Sequence, residues 1–142
     1  MLATLPGESD PNITIARSLS ALGRWDETIA AFERSAEADP EASSKILEEI
    51  ADVALSQRQP GVVARLYGSA IREMERRGEQ AAAEMWSDYG AALRSAGRHD
   101  DARKALDRAL IQYDAELARP EPKRSAQRGR AKVVQLLDGL GE

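Results

Sequence analysis

The sequence predicts an all-α fold, an α-solenoid built from stacked helix pairs, and three observations predict it. First, three columns of residues recur at the same offsets: Ala16, Ala51 and Gly90; Gly23, Arg58 and Gly97; Phe32, Tyr67 and Leu106. Each column steps by 35 residues and then by 39, and a repeat unit of that size cannot bury its apolar face alone, so it stacks on its neighbours. Second, Ala, Glu, Arg and Leu dominate the chain while aromatics make up only 4%, a composition of strong helix formers. Third, apolar residues return at helical spacing throughout, and no segment alternates as a strand would.

Seven helices follow in order. The first is expected from about Asn12 to Leu22, capped by Asp10 or Ser9 with Pro11 in its first turn and stopped by Gly23. The second runs from Trp25 or Asp26 to about Ala38, with Asp26 and Glu27 opposing the positive helix end, until Asp39-Pro40 breaks it. The third, from near Glu41 to near Gln57, carries the stripe Ile46, Leu47, Ile50, Val53, Ala54 and Leu55, and Gln59-Pro60-Gly61 reads as a turn. The fourth spans Val62 to Arg77 and stops at Gly78. The fifth spans Gln80 to Ala96 with Met85, Trp86, Tyr89, Ala92 and Leu93, ended by Gly97. The sixth spans Asp100 to about Leu117 with Ala102, Ala105, Leu106, Ala109, Leu110 and Tyr113 inward. After Arg119-Pro120-Glu121-Pro122, a seventh helix is expected from Lys123 to Leu137, apolar along Ala126, Val133, Val134 and Leu137, with Leu140 beyond, and basic on the other side.

At 142 residues the chain has the length of one domain. It contains no cysteine, so no disulfide, thiolate nucleophile or Cys-based metal site is available, and a reducing, cytoplasmic setting is expected. MLATLPGESDP has neither the basic start nor the apolar core of a signal peptide, and no apolar run has the length of a membrane span. Residues 1–118 hold 14 Lys+Arg against 21 Asp+Glu, net −7, while residues 119–142 are net +3. An acidic body argues against nucleic acid, which requires clustered cations.

The third unit reads Trp86-x2-Tyr89-Gly90-x2-Leu93 followed by Ala102-x3-Leu106; the first reads Gly23-Arg-Trp25-Asp-Glu-Thr28, then Phe32 and Asp39-Pro40; the second keeps Leu47, Ile50, Ala51, Tyr67 and Ala70. In these motifs the chain resembles the tetratricopeptide repeat family over roughly residues 9–117. Departures are Asn12 where a large aromatic is usual, Ala16 for glycine, Arg58 for a turn glycine, and Pro60-Gly61 for an aromatic region. The resemblance implies a single domain over 1–142: repeats at about 9–42, 44–78 and 83–116 and a capping helix at 123–140, wound as a right-handed solenoid of antiparallel helix pairs. Small residues at 16, 51 and 90 let paired helices approach, and the side chains at 32, 67 and 106 fill the space.

In this family the first helix of each unit lines a concave, peptide-binding groove. The matching outward positions are Asp10, Ile13, Arg17 and Ser20; Lys45, Glu48, Asp52, Leu55 and Ser56; and Glu84, Ser87, Ala91, Arg94 and Ser95, flanked by Glu49 and Asp88. Acidic residues prevail, so a basic or mixed-charge protein or peptide partner is expected; the bland alternative is the solvated face of amphipathic helices. A family subgroup clamps chaperone C-terminal carboxylates, but among the matching positions Ile13, Arg17, Glu49, Glu84 and Asp88 only Arg17 could help, and the carboxylates would repel such a ligand. The basic tail (Arg119, Lys123, Arg124, Arg128, Arg130, Lys132) reads first as the solvated face of the cap, because terminal repeats need one; no aromatic among these cations would stack on bases.

No catalytic constellation is announced. His99 stands at a turn, Asp100 and Asp101 read as helix-start carboxylates, and a nearby His-Asp pair is no triad. The glycines read mostly as helix stops, not phosphate cradles. Glu48-Glu49 and Glu84/Asp88 lack a loop of metal-ligand spacing, so neither metal nor cofactor is expected. Asn12-Ile13-Thr14 is a formal glycosylation sequon without a secretion signal. The leading expectation is therefore a non-catalytic scaffold for a protein partner. An alternative rests on Ala64-Arg-Leu-Tyr-Gly68-Ser-Ala70, similar to segments of helical-repeat regions in large bacterial signalling regulators, and makes the chain a ligand-sensing piece of a signalling or transcription regulator. A homodimer through Val133, Val134 and Leu137 of the last helix is a further option.

Overall fold

A computed structural model of the chain describes residues 11–140. Seven helices are present and no strand occurs among the described residues: α1 Pro11–Ala21, α2 Trp25–Ala38, α3 Pro40–Ser56, α4 Pro60–Arg76, α5 Ala83–Ser95, α6 His99–Leu117 and α7 Arg124–Gly139. The chain forms two compact units, one through Arg77 holding α1–α4 and one from Gly78 holding α5–α7.

The helices follow the sequence pattern with three shifts. Pro60 and Gly61, read as a turn, form the first turn of α4; proline's fixed φ and missing N–H suit that position. Asp39-Pro40 breaks the chain for one residue only: Asp39 closes α2 with its N–H on Ser35 O, and Pro40 opens α3. α5 begins at Ala83, three residues after Gln80, because Ala82 is extended at φ −68, ψ 155.

The column Gly23, Arg58, Gly97 has one physical meaning in the described structure. All three residues adopt the left-handed conformation, at φ 72, 58 and 81. At each, two backbone bonds close the preceding helix. Gly23 N–H donates to Ser20 O and Arg24 N–H to Leu19 O; Arg58 N–H to Leu55 O and Gln59 N–H to Ala54 O; Gly97 N–H to Arg94 O and Arg98 N–H to Leu93 O. This is the Schellman cap, which satisfies carbonyls the helix leaves orphaned. The next helix then starts in the same way each time, with Thr28, Val63 and Ala102 donating to the carbonyls of Arg24, Gln59 and Arg98. Three helix pairs, α1–α2, α3–α4 and α5–α6, are thus joined by one repeated turn. Arg58 holds it without glycine, at a cost of about 1–2 kcal/mol.

The other two columns form the cores. Ala16, Ala51 and Gly90 are buried, as are Phe32, Tyr67 and Leu106. In the third pair the close approach is direct: a Cβ on Gly90 would lie 2.6 Å from both Cγ and Cδ2 of Leu106. In the first unit Ile29, Ile46, Leu47, Ile50, Val63, Leu66 and Ile71 complete the core; in the second, Leu93, Ala102, Ala105, Ala109, Ala126 and Val133 do so. Each large aliphatic or Phe side chain stabilises its unit by about 1.5–3 kcal/mol on burial. Trp86 is buried with Arg108 stacked 5.1 Å over its ring, whereas Trp25 is half-buried.

Candidate functional site

In the first unit, α3 presents an exposed stripe. Lys45, Glu48, Asp52 and Leu55 all face solvent, Leu55 at 53% exposure. Their spacing of three, four and three residues places them along one helix face. Beside them Arg17 of α1 donates from Nε to Glu49 Oε2 at 2.8 Å, both side chains exposed. This bridge joins a cation and a carboxylate that the sequence offered separately.

Two positions expected to point outward in this unit are buried. Ile13 is 6% exposed and Ser20 4%. Both share the face of Ala16, three residues before and four after it, and that face of α1 packs against its neighbours within the unit. Ser20 is accommodated because its hydroxyl donates back to Arg17 O at 2.8 Å. Asp10 lies outside the described residues.

In the second unit Ser87 and Arg94 are covered, whereas Glu84 is not. Ser87 is 2% exposed, a correction with the same origin as that of Ile13: a later helix of the unit packs on its own, α7 on α5 as α3 on α1. Its Oγ is buried and has no hydrogen-bond partner in the protein. Arg94 is half-buried, its guanidinium against the backbone of Gly139 in α7. Glu84 is exposed and lines a cleft of about 540 Å³ shared by α5, α6 and α7.

That cleft has walls of opposite charge. Glu84 and Asp88 of α5 lie on one side; Lys123, the N-cap of α7, and Arg128 lie on another; Ser87 and Tyr113 line it between them. Three contacts frame it. Gln112 Nε2 donates to Ala81 O at 2.8 Å, tying α6 to the segment before α5. The ring of Tyr113 lies against Gly129, where a Cβ could not fit without displacing it. Lys132 Nζ reaches Asp88 Oδ1 at 3.8 Å. Burial, and then the charges of Glu84 and Asp88, push the Tyr113 phenol above tyrosine's ordinary value.

Tyr113 and the tail cations Lys123, Arg128 and Lys132 are cleft residues that the sequence places elsewhere, and Gln112 is one that it does not single out. Tyr113 was expected in the core, and the cations on a solvated face. Those cations are exposed, but Lys132 meets Asp88, and Arg130 Nε donates to Asp114 Oδ1 at 2.6 Å. The available signal was Gly129, which stands inside a helix where a stop makes no sense and so marks a close approach. Val133 is fully buried in its own unit, while Val134 and Leu137 are half-buried.

Among the described residues no cluster of three or more His, Asp or Glu could hold a metal ion, and no helix is long and apolar enough to cross a membrane. No protein-family model matches the chain, and no curated protein matches it in sequence.

Proposed function

We propose that the chain is a non-catalytic protein-interaction scaffold of the tetratricopeptide-repeat type, a right-handed α-solenoid that takes a basic or mixed-charge peptide or protein segment in the cytoplasm. The observation that carries this reading is the exposed α3 stripe of Lys45, Glu48, Asp52 and Leu55, with Arg17 beside it. An exposed leucine among charges offers an apolar anchor inside a polar rim, the anatomy of a protein-binding patch. Two carboxylates against one lysine along the stripe favour a partner carrying cations, which steers encounter as well as register. The repeated left-handed turn and the small and large columns support the repeat reading.

Photo-crosslinking tests it. A crosslinking residue at Asp52 is compared with one at Glu33, an exposed position on α2, in host lysate, alongside the charge-reversed Glu48→Lys/Asp52→Lys variant. A partner trapped from position 52 but not from 33, and lost in a variant whose circular dichroism matches wild type, supports the stripe. Equal trapping at both positions, or capture that survives charge reversal, moves recognition off it.

A further inference from the structure

We infer that the cleft of the second unit is a binding site for a small zwitterion, a molecule of amino-acid or short-peptide size whose ammonium meets Glu84 and whose carboxylate meets Lys123 and Arg128. This goes beyond the scaffold reading and does not depend on the α3 stripe.

The size comes first. A volume of about 540 Å³ falls within the range that encloses small organic ligands, about 300–1,000 Å³. Opposed charge comes second. Glu84 stands one helical turn before Asp88, and Asp88 is engaged by Lys132, so Glu84 supplies the second carboxylate of the lining. The field of these two acids reaches Tyr113, whose ring lies against Gly129 of α7. On the facing side, Lys123 and Arg128 stand at the start of α7, whose positive dipole end adds to their charge. Glu116 also lines that region, but its carboxylate accepts from the Lys123 N–H at 3.3 Å and pairs with Arg119 at 3.3 Å. A ligand with a single sign of charge would satisfy one wall and be repelled by the other; a zwitterion satisfies both.

The third observation is Ser87. It is among the residues lining the cleft, and its hydroxyl is buried beneath that lining without a protein partner. Such a group is unfavourable when left unpaired, and a small shift of the lining that lets a ligand amide or carboxylate reach it recovers that loss. Around it Ala82, Ala83 and Ala126 give small apolar surface, suited to a ligand whose own side chains are small.

The test is an amide-resolved NMR titration of the full ¹⁵N-labelled chain with four probes: free alanine, trialanine, N-acetyl-trialanine and trialanine amide. Saturable shifts at the amides of Ser87, Tyr113 and Gly129 are expected with alanine or trialanine, and the tighter of the two gives the ligand's length. Blocking either terminus should weaken binding at least about tenfold, since each removes one charge-assisted contact. Glu84→Gln and Lys123→Gln, both at exposed positions, should each weaken the free zwitterion several-fold while leaving the protein's melting temperature unchanged. Ser87→Ala should weaken it with the fold intact. No saturable shift at these three amides up to about 10 mM, equal affinity for the blocked and free peptides, or indifference to both Glu84→Gln and Lys123→Gln would each overturn the assignment.

Discussion

The same two repeat positions meet opposite fates on α3 of the first unit and α5 of the second. Three residues before and four after the small column, α3 carries Glu48 and Leu55, whereas α5 carries Ser87 and Arg94. Glu48 is exposed and Leu55 is 53% exposed; Ser87 is 2% exposed and Arg94 lies against α7. The difference is that α7 packs on α5 within its unit, while no helix of the first unit covers the equivalent face of α3. A helix's own periodicity tells which residues share a face. What covers that face is decided by an element elsewhere in the chain.

Exchanging the characters of the two positions tests this most severely. Ser87→Glu puts a carboxylate at a position that is 2% exposed, on the helix that already carries Glu84 and Asp88, and should cost more than about 3 kcal/mol, unfolding the second unit in a thermal melt. Glu48→Ser, at the matching position, should stay within about 0.5 kcal/mol of wild type. Equal effects would erase the distinction between the faces. A second test asks where the units are alike. Gly90→Leu drives new atoms into Leu106 and should destabilise by roughly 1–3 kcal/mol through overpacking, or several degrees of melting temperature for a unit of this size. Ala51→Leu should cost a similar amount in the first unit, and a neutral result at either site would break the shared column.

A smaller effect has the reverse sign. Arg58→Gly relieves a left-handed backbone and should stabilise the first unit by about 1 kcal/mol, whereas Gly97→Ala should destabilise the second by about as much; urea midpoints read both. The smallest effect is confined to alkaline solution. The Tyr113 phenol has a folded pKa above its unfolded value near 10, so its neutral form is favoured in the folded state. The associated stability is complete below the unfolded pKa and is lost as pH rises through the folded one. Melts between pH 9 and 11 should show this loss in wild type, and Tyr113→Phe should remove the part that tyrosine contributes.

The helices, their stops and the core columns were legible because each depends on local chemistry: glycine at a left-handed cap, an alanine or glycine where helices meet, a large side chain opposite. Arg58 was legible only through its column, since arginine itself gives no signal of a positive φ. The α3 stripe was also readable from spacing. The cleft was not, because it is made by residues from three helices, and nothing in the order of Glu84, Tyr113 and Lys123 says that they meet. Ile13 and Ser87 were misplaced for a related reason. Both stand three residues before the small column, where Glu48 is exposed; they are buried because a later helix of the same unit packs on theirs, α3 on α1 and α7 on α5.

The thrice-used turn has a further consequence. Its geometry is written in backbone angles and main-chain hydrogen bonds, and the packing beside it asks for size more than for identity. Substitution can therefore run through every column, Ala for Gly, Arg for Gly, Tyr or Leu for Phe, while the spacing of the columns stays put. In such a chain the register of the fold is carried by distances along the sequence more than by the letters that fill them.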